Sequence, residues 1–230
     1  MTTERPEWVT DGTEKSPHLE ARMPELQTPL QAHGDGVSSD RRAAFTVPGL
    51  DMDAADSVID LLDDSLVALN DLALTLKHVH WNVVGPNFIA VHQMLDPHVE
   101  QVRTMVDAVA ERMATLGGSP NGLAGYLATH RKWDDYSINR ATGQAHLAAL
   151  DLVYSNLIAD HRDRIRTLER LDPVSQGLLV DQSAALEQQQ WFLRAHLEDS
   201  AGGMQHAGAL TEHAAAAKVV NRARTLRNSG

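Results

Sequence analysis

Apolar residues return every three or four positions in four long blocks, with polar residues filling the faces between them. In the first block Val58, Ile59, Leu61, Leu62, Leu66, Leu69, Leu72, Leu76 and Val79 keep one stripe, the pattern of an amphipathic helix. Asp51 or Asp53 is placed to cap it, with acids early, where the helix dipole favours them. This helix carries His80 near its end, and Gly85-Pro86-Asn87 reverses the chain. The second block predicts one helix from Asn87 to Leu116, bent at Pro97, which lacks a backbone donor. Gly117-Gly118-Ser119-Pro120 stops it. A long, Gly-interrupted connection follows, with a short helix expected at Trp133–Ser137. The third helix is predicted from about Thr142 to Leu171. Asp172-Pro173 then reads as a cap and a first-turn proline, opening a fourth helix to about Asp199 that ends at Gly202-Gly203. Four such helices with a long middle crossover describe an all-α four-helix bundle.

The second helix also carries chemistry. His92 and Asp96 are four apart, and so are Asp107 and Glu111, so each pair stacks on one helix face. At 100° per residue all four fall within an arc of about 100°, yet Asp96 and Asp107 stand about 16 Å apart along the axis. Metal–ligand bonds are about 2 Å long, so one ion does not bridge the pairs within a chain. An antiparallel second copy would join them. A two-fold axis near Gln101–Val102 sets Asp107 and Glu111 of one chain beside His92 and Asp96 of the other, making two equivalent sites. The plainer alternative is a solvated helix face with scattered charges. The chain contains no Glu-x-x-His, the signature of a di-iron centre inside a single bundle, so metal chemistry belongs at an interface.

Composition narrows the picture. The chain has 230 residues, 43% hydrophobic and only 4% aromatic, with no cysteine. This excludes disulfides and thiolate metal sites and leaves imidazole and carboxylate as ligands, a set that suits iron among other ions. The sequence holds neither a membrane-length apolar run nor a signal-peptide pattern, which fits the cytoplasm. A net charge of −11 makes the whole a poor general partner for nucleic acid. Residues 1–47 are polar and proline-interrupted and read as a flexible extension, ahead of a bundle domain over 48–202. Residues 203–230 form a basic tail, in which Lys218, Arg222, Arg224 and Arg227 oppose Glu212.

The run K-H-V-H-W-N-V-V-G-P-N-F from Lys77, followed by His92, Asp96 and then D-x-x-x-E-R from Asp107, resembles the signature of the Dps family (DNA-binding proteins from starved cells), small relatives of ferritin. The likeness is greatest to actinobacterial members and covers roughly Phe45 to Gly203. It implies a ferritin-like bundle with a short helix in the middle crossover, assembled as a hollow dodecameric shell. It implies iron as the metal, with His80, His92 and Asp96 from one chain and Asp107 and Glu111 from its two-fold partner as ferroxidase ligands. The implied activity is oxidation of Fe(II), typically by hydrogen peroxide, with Fe(III) stored as mineral and DNA spared oxidative damage.

Trp81 is then either an electron donor for stray oxidising equivalents or a wall of the site, and Lys77 is placed to orient a ligand. His78 and His98 read as surface or packing residues. Trp133 and Trp191 read as core or interface packing, and Asp151, Asp160 and Asp163 as candidates for an acidic pore. His18 and His33 read either as ligands of an extra metal site or as solvated tail histidines. The basic tail either binds DNA by avidity across many copies or has no such role. Two other classes stand beside the ferroxidase: a nucleoid-binding structural protein whose metal site is vestigial, and a helical shell with structural zinc.

Overall fold

In the computed structural model, residues 42–228 are described, and they form one packed unit. Most of the 1–47 extension, with His18 and His33, lies outside the described residues. α1 (Met52–Asn82) starts at Asp51, whose carboxylate accepts from the Ala54 amide at 2.7 Å. Its apolar stripe is buried from Val58 to Val79. α2 (Phe88–Thr115) packs along it and runs through Pro97. α3 (Ala124–His130) lies in the crossover, and α4 (Gly143–Leu168) and α5 (Pro173–Ala195) complete the bundle. At the start of α5 the Asp172 carboxylate accepts from the amides of Val174 and Ser175, with Pro173 in the first turn.

Gly117 ends α2 at φ +85°, with its amide donating to the Ala114 carbonyl and that of Gly118 to the Met113 carbonyl. This is the paired cap that a left-handed residue permits. The Gly117 carbonyl in turn accepts from the Ala44 amide at 3.0 Å, so the cap fastens the entry segment to the body.

Three features differ from the sequence reading. The crossover helix is Ala124–His130, not Trp133–Ser137. Side-chain bonds to α1 hold the later stretch non-helical instead: Arg131 reaches Asp71 and Asp135, and Trp133 Nε1 donates to Asp71 at 2.7 Å. Val83 and Val84 (β1) pair in parallel with Ala141 and Thr142 (β2), tying the α1–α2 turn to the start of α4. The basic tail contains a sixth helix, α6 (Glu212–Asn228), laid against α4. Alanines 214–217 favour helix, and Ala215 and Val219, four apart, are buried by it.

No helix among the described residues is long and apolar enough to cross a membrane.

Candidate metal centre

α1 and α2 run side by side, and their packing brings His80 against His92. The two rings stack with centroids 3.6 Å apart. Each ring nitrogen Nδ1 faces the other residue's backbone carbonyl, at 3.0 Å for His80 and 2.9 Å for His92. A carbonyl only accepts, so both Nδ1 atoms donate. In a neutral ring held this way Nε2 carries the lone pair and is the atom through which the imidazole would bind a metal. Phe88 packs on His92 with centroids 4.9 Å apart and closes one side. His80 is buried, so its ring has little freedom to leave.

Asp96 stands one turn beyond His92 on α2. Its Oδ1 lies 3.3 Å from His80 Nδ1 and accepts from Lys77 Nζ at 3.1 Å. The Lys77 hydrogen bond, with the nearby positive charge, holds the Asp96 carboxyl below its ordinary pKa, so it stays an anion. Lys77 Nζ also sits 5.9 Å from the ring centre of Trp81, whose indole is 71% exposed.

Asp107 and Glu111 are exposed three turns along α2 and do not join this group. Among the described residues of one chain, no three His, Asp or Glu side chains converge to hold a metal ion. Next to Glu111, Arg112 reaches across to α5, bonding Asp172 Oδ2 at 2.6 Å and Ser175 Oγ at 2.9 Å. Burial would raise the Asp172 pKa, but the Ser175 and Arg112 bonds outweigh it and lower it. The end of α2 that bears Asp107 and Glu111 is therefore anchored. The chain thus brings His80, His92 and Asp96 together where α1 meets α2, and presents Asp107 and Glu111 separately, on the exposed side of the far end of α2.

Comparison with known proteins places the geometry in context. The model for the ferritin-like domain matches residues 59–201. The DNA protection during starvation protein of Mycolicibacterium smegmatis is 58% identical over 175 residues, which is 76% of this chain and 96% of that protein. The chain belongs to the Dps family. Among solved structures, Mycobacterium smegmatis Dps superposes with a TM-score of 0.72 at 59% identity, over 73% of this chain and 95% of that one. DpsA14 from Streptomyces coelicolor gives 0.70 at 54%, over 72% and 99%. The fold is ferritin-like, as these Dps structures are.

Elsewhere the placements are mixed. Asp151 is not a pore residue. It is buried on α4, where it accepts from Arg194 Nε at 2.7 Å and Gln190 Nε2 at 2.8 Å and faces His206 Nε2 at 2.9 Å. An acid on an amphipathic helix reads as solvated, and nothing local in the sequence marks its partners, 39 to 55 residues away. Asp160 and Asp163 are exposed.

His98 packs inside on Phe192, and burial lowers its pKa to about 4. His78 meets the Ile138 carbonyl at 3.0 Å. Trp191 is 62% exposed and Trp133 half-buried, so neither is core.

Of the basic residues, Lys218 donates to the Ala207 carbonyl at 2.7 Å and Arg222 pairs with Asp199 at 2.6 Å. Both fasten α6 to the body. Arg224 is exposed, and the Arg227 side chain lies outside the described residues.

Proposed function

We propose that this Dps protein is a ferroxidase that takes Fe(II) as substrate, oxidises it with hydrogen peroxide and stores the Fe(III) as mineral in a dodecameric cage. The observation that carries the reading is the mutual lock of His80 and His92, which stacks the two rings, engages both Nδ1 atoms with backbone carbonyls and leaves Nε2 as the ligating atom of each neutral ring, with the anionic Asp96 against His80. Those three residues make half a site, and Asp107 and Glu111 of a two-fold partner are its other half. His80, His92, Asp96, Asp107 and Glu111 together offer two neutral and three anionic ligands. Anionic oxygen favours the higher-charged ferric ion over the ferrous one, so binding lowers the cost of oxidation.

In the proposed reaction two Fe(II) ions each give one electron to one hydrogen peroxide molecule. The O–O bond breaks, and both oxygens end as hydroxide or oxide in the ferric product. Two waters complete the oxyhydroxide and four protons are released. Because both electrons are delivered together, no hydroxyl radical is formed. Both reagents of the damaging one-electron reaction are consumed, which protects DNA without requiring that the protein touch it. Trp81, exposed beside Lys77, either gives an electron to an oxidising equivalent that escapes or serves only as a wall of the site. The shell works in the cytoplasm.

Binding of DNA through Lys218, Arg222, Arg224 and Arg227 has less support, since the first two are engaged within the chain. That weakens the alternative of a nucleoid-binding structural protein with a vestigial site.

The test is anaerobic loading with Fe(II) followed by one addition of peroxide, recording ferric absorbance and hydroxyl-radical yield. Fast oxidation with little radical is expected, lost in both His80→Ala and Asp107→Ala. Oxidation no faster than that of free iron overturns the proposal. Anomalous scattering at the iron and zinc edges separates this site from structural zinc.

A further inference from the structure

We propose that the groove bounded by α1, the segment after α3, α4 and the start of α6 is a binding site for a small aliphatic polyamine. The inference is independent of the iron chemistry, since no residue of the groove belongs to the His80 centre. The cavity measures about 410 Å³, in the range of small-molecule sites. Its floor is apolar, made by Ala68, Leu72, Val153 and Leu157, and the Trp133 ring forms one wall. Around the rim stand Asp71, Asp134, Asp135, Asp160 and Glu212, with no lysine or arginine in the lining.

The rim is not neutralised from behind. Arg131 pairs with Asp71 and Asp135, and Arg164 lies 3.9 Å from Asp160. Two guanidiniums against five carboxylates leave a negative field. Asp134 has no hydrogen-bond or ion-pair partner among the described residues, and the Asn156 amide, which also lines the groove, bonds to nothing else there. The walls are fixed. Trp133 Nε1 donates to Asp71 at 2.7 Å, and Glu212 accepts from the amide and hydroxyl of Ser137, both at 2.7 Å.

This combination selects the ligand class. A hard metal ion needs several oxygens converging on one point. Here the carboxylates come from separate elements, with apolar surface between them, and no three potential ligands converge. An alkyl chain carrying spaced ammonium groups matches both parts. Its methylenes cover Leu72 and Leu157, its charges meet Asp134, Asp160 and Glu212, and one ammonium can lie against the Trp133 face.

The experiment titrates the assembled full-length protein with spermidine by calorimetry in about 0.15 M salt, where exposed charges are largely screened. One spermidine per chain is expected. The double variant Asp134→Asn, Asp160→Asn should weaken binding about tenfold, as loss of two charge contacts implies. Asn156→Trp should block it by filling the groove with the net charge unchanged. Both variants keep their Fe(II) oxidation rate. If Asn156→Trp does not fold, the charge variant, whose residues are exposed, decides alone. Equal affinity in wild type and charge variant overturns the proposal. So do several weak spermidines per chain, which would mark general attraction to an acidic surface, and no binding at all, which would mean that a neighbouring subunit covers the groove.

Discussion

His206 sets its Nε2 2.9 Å from Asp151 Oδ2, with both side chains only 5% exposed. This contact pins the stretch after α5 to the middle of α4, and Arg194 and Gln190 complete the shell around the same carboxylate. Asp151→Ala removes the common acceptor and leaves an imidazole and a guanidinium without it. Breaking a buried pair costs about 3–5 kcal/mol, and the partial exposure of Arg194 discounts this to about 2–4 kcal/mol. Denaturant unfolding should read that loss. Limited proteolysis should cut the variant between Ala201 and Leu210 well before the wild type. A variant as resistant as the wild type would mean that the 201–210 stretch is held without Asp151, by the apolar packing of α6 and the Lys218, Arg222 and Glu212 bonds.

Gly117 predicts a second sensitive point. A Cβ there would stand 2.1 Å from the Phe45 carbonyl oxygen, at a φ of +85°. The left-handed backbone alone costs a side chain about 1–2 kcal/mol. The clash is with backbone, so it is relieved only by detaching the segment around Phe45. Gly117→Ala should therefore lose more than about 2 kcal/mol and speed amide exchange at Ala44. A loss smaller than the backbone term would show that the entry segment moves freely.

Three buried histidines, His98 already described among them, set an acid limit. Burial lowers the pKa of His146 to about 4, and burial followed by the Arg164 charge does the same for His161. In the unfolded chain each titrates near 6.5, so below that pH the unfolded state binds more protons. Their stability contribution is complete above pH 6.5 and is lost as pH falls towards 4, by at most about 1.4 kcal/mol per pH unit for each. His161→Leu should flatten this acid limb and lower the acid midpoint. An unchanged slope would mean that His161 takes up its proton without unfolding.

The parts legible in the sequence are those whose information is local. The stripe from Val58 to Val79, the Asp51 cap and the Asp172-Pro173 start each lie within a few turns of the residues they organise. The parts missed depend on distant partners or on small residues. α6 buries alanine and valine rather than leucine, so its apolar face falls below what a periodicity reading registers. The β1–β2 ladder is two residues long on each side, too short for any alternation to show. Trp133–Ser137 carries a helix-compatible sequence, and Asp71, 62 residues away, overrides it.

The site divides in the same way. Spacing places His92 over Asp96 and Asp107 over Glu111, but it does not reveal that His80 and His92 fix each other's rings through backbone carbonyls.

The shared-site reading makes a prediction that no single-chain site can imitate. One chain carries His80→Ala and His92→Ala, and another carries Asp107→Ala and Glu111→Ala. Each alone should form inactive shells. Unfolded together and reassembled at equal amounts, half of the two-fold pairs become mixed. In a mixed pair one site receives both damaged halves, while the other receives the intact His80 and His92 of one chain and the intact Asp107 and Glu111 of the other. About a quarter of the sites are thereby whole, so peroxide-driven Fe(II) oxidation should return to about a quarter of the wild-type rate. If all ligands came from one chain, every site in every mixture would stay broken and the rate would remain at that of free iron. The measurement needs no knowledge of the subunit number, because only the two-fold contact between α2 helices enters the count.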